Sequence, residues 1–87
     1  MYVNSSLPNS GSISFSITED SKVNISIYNI KGQLIRTLVD ESYERGFHKA
    51  IWNGKDTSGK SVSNGIYFYN LKVNGKSKAV KKMLLLK

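Results

Sequence analysis

Ile13-Ser14-Phe15-Ser16-Ile17 and, after a short polar turn, Val23-Asn24-Ile25-Ser26-Ile27 decide the class of fold. In each run three apolar residues alternate with serine or asparagine, so an extended chain is oily on one side and wettable on the other. A helix would scatter the same residues around its circumference. Between the runs, Glu19-Asp20-Ser21 supplies turn-forming side chains.

The rest of the chain continues in this manner. Asn29-Ile30-Lys31-Gly32 reads as a tight hairpin whose glycine takes a positive φ. Gln33 to Val39 predicts a strand that is apolar on both sides, so alternation does not set its register. Asp40 to Arg45 reads as a charged connection closed by Gly46. In the next strand His48, Ala50 and Trp52 share one face, with Phe47, Lys49 and Ile51 on the other. A polar loop, Asn53 to Asn64, leads to a long strand from Gly65 to Val73. Asn74-Gly75 is the preferred dipeptide of a type I′ turn, and the last strand runs from Ser77 to Leu86. No segment carries apolar residues at helical spacing over three turns. The expectation is an all-β, immunoglobulin-like antiparallel sandwich of roughly six or seven strands. Trp52 should be buried between the sheets with Ile13, Phe15, Ile17, Val23, Ile25, Ile27, Tyr67, Tyr69 and Leu71.

The chain has 87 residues, enough for one domain and one core spanning 1–87. It has no cysteine, which removes disulfides, thiolate metal sites and thiol nucleophiles. No stretch approaches the roughly 18 apolar residues of a membrane helix. MYVNSSLPNS lacks the basic head and apolar run of a signal peptide, so if the protein is exported, its export signal is expected elsewhere in a longer polypeptide. The net charge of +7 draws polyanions without choosing among them.

Gly54-Lys55-Asp56-Thr57-Ser58-Gly59-Lys60-Ser61 spells a P-loop. A phosphate cradle needs the glycine-rich turn to open a helix, and here Val62-Ser63-Asn64-Gly65 leads into a strand. The expectation is a hairpin loop that binds no ATP, with Asp56 bonded to its own backbone in preference to ligating calcium. His48, the single histidine, lacks the partner a general base requires and is expected to be packed or at an edge. No spaced carboxylate pair, metal-ligand set or cofactor motif occurs, so the domain is expected to be non-enzymatic and to need no cofactor. Lys76, Lys78, Lys81, Lys82 and Lys87 make the C-terminal strand basic. With Tyr67, Phe68 and Tyr69 it loosely evokes a nucleic-acid platform, but those rings alternate faces, so specific nucleic-acid binding is not expected. Lysines that discourage edge-to-edge pairing account for the charge.

Several pieces together resemble one family. They are Leu7-Pro8-Asn9, Gly11 and Ile13-Ser14-Phe15; Tyr28 to Gly32 followed by Leu34 to Leu38; Gly46-Phe47-His48; Trp52-Asn53-Gly54-Lys55-Asp56 and Gly59; Gly65-Ile66-Tyr67-Phe68-Tyr69; and Lys81-Lys82-Met83-Leu84-Leu85-Leu86. The ordered set resembles the type A C-terminal sorting domain of the bacterial type IX secretion system. It also resembles the related immunoglobulin-like domain of the flagellar hook-capping protein. Ser10 departs from that pattern, which often has proline there. The resemblance implies a tag behind an N-terminal cargo domain, read by outer-membrane secretion machinery and open to removal by a sortase-like protease. It would deliver cargo to the cell surface or medium. Lys81, Lys82, Met83, Leu84 and Leu85 are the candidate recognition residues. Pro8, Asn9, Gly11, Gly32, Trp52, Gly54, Asp56, Gly59, Gly65 and Tyr67 are structural motif positions. The alternative is an accessory immunoglobulin-like spacer in a cell-surface, secreted or flagellar protein.

Overall fold

The two alternating runs form strands as their pattern requires, but they do not pair with each other. A computed structural model describes residues 2–4 and 11–85. Its strands are β1 (Tyr2–Asn4), β2 (Gly11–Ile17), β3 (Ser21–Tyr28), β4 (Leu34–Tyr43), β5 (Gly46–Trp52), β6 (Gly65–Val73) and β7 (Lys76–Leu85). One antiparallel sheet has the order β1-β2-β5 and the other β4-β3-β6-β7. The Glu19–Asp20 turn therefore carries the chain from one sheet to the other, and the oily sides of β2 and β3 face each other across the sandwich.

The core follows from that arrangement. Ile13, Phe15 and Ile17 from β2 meet Val23, Ile25 and Ile27 from β3, with Ala50, Trp52, Tyr67, Tyr69, Leu71, Met83 and Leu85 completing the cluster. Trp52 is fully buried. Each large apolar side chain removed from water contributes about 1.5–3 kcal/mol, so alternation in five strands converts directly into cohesion.

β4 behaves differently. Its pairing with β3 slips twice, between Ile25 and Ser26 and between Ile27 and Tyr28. The residues left over on β4 are Leu38 and Ile35, and both lie half-buried against the core with Val39 and Tyr43. Two bulges thus let a strand that is apolar on both sides turn most of its bulk inward. The charged connection expected from Asp40 to Arg45 is not a loop. Asp40 to Tyr43 extend β4, opposite Asn24 to Ser21, and only Glu44 and Arg45 remain for the turn. β4 is an edge, where Asp40 and Glu41 reach water while their backbone stays paired. Arg45 closes the turn by donating its amide to Asp20 Oδ1 at 2.9 Å. β4 begins at Leu34 and not at Gln33, β7 begins one residue earlier than expected at Lys76, and β1 is an additional three-residue strand.

At the tip of the β6–β7 hairpin Asn74 and Gly75 have φ of 52° and 81°, the signs that a type I′ turn demands. Asn74 also fastens this tip to β3. Its amide donates to the Lys22 carbonyl at 2.8 Å, and its Oδ1 accepts from the Lys22 amide at 2.9 Å.

Candidate functional site

The P-loop spelling is a miniature hairpin. Lys55 and Ser61 form an antiparallel bridge, and the Val62 amide donates to the Gly54 carbonyl at 2.9 Å. Asp56 Oδ1 sits inside the turn and accepts from the amides of Ser58 at 2.9 Å and Lys60 at 3.0 Å. Those are amides that would have to face a phosphate, and the loop's own carboxylate already holds them. Gly59 takes φ of 84°, which a side chain would resist, and donates to the Asp56 carbonyl. The loop is tied to β4 as well. Thr57 donates its amide and hydroxyl to the Ile35 carbonyl, both at 3.1 Å, and Arg36 donates to the Asp56 carbonyl.

The same loop caps the aromatic end of the core. The Trp52 indole N–H donates to the Lys55 carbonyl at 2.9 Å. The Tyr67 ring meets the indole edge-on at 5.0 Å, and its hydroxyl donates to the Ser63 carbonyl at 2.7 Å. Trp52, Gly54, Asp56, Gly59 and Tyr67 are therefore one connected assembly. Gly11 stands opposite Trp52, Gly65 opposite Leu85, and Gly32 in the β3–β4 turn, whose Asn29 side chain accepts the amides of Lys31 and Gln33. Pro8 and Asn9 lie outside the described residues.

The candidate recognition residues occupy β7, an edge strand. Met83 and Leu85 are buried, paired with Tyr67 and Gly65. Lys82 and Leu84 alternate with them on the outer face, beside Phe68 and Ile66, and Leu84 is 39% exposed. Lys81 shares the inward phase of Met83 but is exposed, at the rim. Met83 and Leu85 thus anchor the strand, while Leu84 is displayed together with the two lysines. Tyr67 and Tyr69 are held in the core, so neither ring is free to stack on a base.

Away from the 53–64 loop, Phe15, Tyr43 and His48 form an aromatic trio, with ring centres 4.6 Å apart for Tyr43 and His48. His48 Nε2 contacts the Glu44 carbonyl at 2.6 Å. Burial, followed by the nearby Glu41 carboxylate, pushes the Tyr43 hydroxyl pKa up. Phe47 is 90% exposed and Ile51 61%, on the side of β5 facing away from Trp52. No group of three or more metal-binding side chains occurs among the described residues, and they contain no helix long and apolar enough to cross a membrane. One feature that sequence reading did not reach is a groove of about 390 Å³, lined by residues of β2, β3, β6 and β7 and the turns beside them. It forms where the end of β2 meets the ends of β3, β6 and β7 from the other sheet, a long-range meeting that no local pattern encodes.

This geometry defines an immunoglobulin-like sandwich domain with one end sealed by a hydrogen-bonded loop and a basic edge strand. Residues 4–79 match the FlgD Ig-like domain family, and the chain belongs to that family. No curated protein matches it significantly. Among solved structures it is similar to dimeric latent PorU from Porphyromonas gingivalis, with a TM-score of 0.79 and 18% identity, covering 98% of this chain and 9% of that one. It is similar also to FlgD from P. aeruginosa, with a TM-score of 0.70 and 23% identity, covering 86% of this chain and 59% of that one. At these identities the likeness establishes the fold. The chain spans less than two thirds of the length of either protein.

Proposed function

We propose that this domain is a non-catalytic C-terminal sorting signal, read by the bacterial type IX secretion machinery to deliver an attached N-terminal cargo to the outer-membrane surface or the medium. The observation that carries this reading is the construction of β7. Its outer edge pairs with no strand among the described residues, its anchors Met83 and Leu85 are buried, and Lys81 and Lys82 stand exposed. A held edge strand of this kind is what a partner captures by adding a strand of its own, and paired cations steer an acidic receptor toward it. The structural similarity to PorU and the ordered sequence motifs support the same reading.

The test is a reporter fused to this domain in a host with a type IX system, with surface and medium appearance measured. The Lys81→Ala, Lys82→Ala double variant should leave Tm nearly unchanged, because exposed lysines contribute little to stability. Its export should fall sharply. Normal export of the double variant sinks this reading of β7. A second reading, an accessory spacer in a surface or flagellar protein, is favoured by the family match, which stops at Ala79 and omits Lys81 and Lys82. An intact domain that never directs export selects the spacer.

A further inference from the structure

β1 pairs with β2 through only three residues, Tyr2 with Ser14, Val3 with Ile13 and Asn4 with Ser12. β2 continues to Ile17, fully paired with β5 on its other side. From Phe15 to Ile17, therefore, one edge of β2 is without a paired strand among the described residues. The 390 Å³ groove opens at this place. Ile17, Leu71, Val73 and Ala79 give it apolar walls, and Lys76 and Lys78 from β7 stand on its rim. An uncovered stretch of β edge beside an apolar groove is an incomplete piece of sandwich.

We propose that this groove takes the polypeptide segment running into the domain, as an extension of β1 that completes its ladder with β2. The inference rests on the reading above only in requiring a polypeptide ahead of the domain. Continuity fixes the geometry. β1 is antiparallel to β2, so its register carried backward sets successive upstream positions against Ser16, Ile17 and Thr18. Residues directly opposite on neighbouring antiparallel strands share a face, and Ile17, like Ile13, is buried, so the side chain opposite Ile17 enters the groove. The positions opposite Ser16 and Thr18 face outward. The segment that fits is extended and apolar at the inward position, under the Lys76 and Lys78 rim, with solvated flanking positions where the chain's net charge of +7 favours carboxylates at long range. A second copy of this chain would bring the same positive charge and is disfavoured.

The experiment places Glu-Val-Glu directly before Met1 of the full chain, with the composition-matched Val-Glu-Glu as control. In the first, valine falls opposite Ile17; in the second, a carboxylate does. Amide exchange by NMR should slow about tenfold at one or more of Ser16, Ile17 and Thr18 with Glu-Val-Glu relative to Val-Glu-Glu, with cross-strand contacts from the added valine to Ile17. Tm should rise for the first chain alone. Equal exchange and equal Tm in the two chains overturn the proposal. So does an unextended chain that is a dimer with these amides already protected, which would give the groove to a second copy. The export assay probes β7 and this one the edge of β2, so loss of either result leaves the other standing.

Discussion

At one end of the sandwich the Trp52 indole, the Tyr67 hydroxyl and the Asp56 carboxylate all have backbone partners within a single loop, and that loop is bound in turn to β4. At the other end the Asn74–Gly75 tip is clamped to Lys22, yet between it and the end of β2 the sheets part around a groove lined by Ile17, Leu71 and Val73. Both ends are lined by apolar core residues, but only one has its polar groups organised into a lid. A core of this size is closed by hydrogen bonding as much as by bulk, and the end without a lid holds the roomier groove, about 390 Å³ against about 290 Å³ beside Val62 to Tyr67.

The contrast is broken most severely at the sealed end. Trp52→Ala should cost about 3–5 kcal/mol in urea unfolding, since it empties the largest buried site and orphans the Lys55 carbonyl. Ile17→Ala at the open end should cost no more than about 2 kcal/mol, because the space it leaves adjoins a groove already present. Equal losses would mean that the two ends are energetically alike.

Two tyrosines on one face of β6 sharpen the comparison. Tyr67 has its Ser63 partner, whereas the buried Tyr69 hydroxyl has none among the described residues, and burial pushes its pKa up to about 12. The folded value lies above the ordinary 10.0, so the neutral phenol's contribution is fully present below pH 10 and is lost as pH rises toward 12. The loss should be about 2–3 kcal/mol. Unfolding measured between pH 9 and pH 12 should show it in the parent and a clearly smaller loss in Tyr69→Phe, where the raised Tyr43 hydroxyl remains. A Tyr67→Phe chain should retain the alkaline loss and be about 1 kcal/mol less stable at neutral pH.

Smaller effects belong to the surface. Asp56→Ala should lower stability by about 1–2 kcal/mol, because two loop amides lose their acceptor to water, and amide exchange at Ser58 and Lys60 should quicken. Phe47→Ser, on a side chain 90% exposed, should stay within about 0.5 kcal/mol of the parent.

These contrasts also separate what was legible from what was not. β2, β3, β5 and β6 each hold one phase, so their inward residues, and Trp52 at the centre, could be read directly. β4 could not, because its two bulges change phase at Leu38 and Ile35, and a bulge depends on the partner strand. Asp40 to Tyr43 looked like a connection because charge in sequence does not distinguish a loop from a solvated edge. In the candidate site, the glycines and Asp56 of the 53–64 loop signalled a turn, but its bonds to Ile35 and Arg36 are long-range and have no local signature. Leu84 was grouped with Met83 and Leu85, although strict alternation sends it to the opposite face.

The place of β7 in the chain also has a consequence for biosynthesis. Met83 and Leu85 are fully buried and come last among the described core residues, after every residue they cover. Together they contribute about 3–6 kcal/mol, a large part of what an 87-residue domain has to spare. A chain emerging from the ribosome therefore cannot close this core until its final strand has been made. A nascent or prematurely ended chain leaves the faces of Tyr67 and Tyr69 uncovered. Folding of the domain thus reports that translation has reached the end of β7.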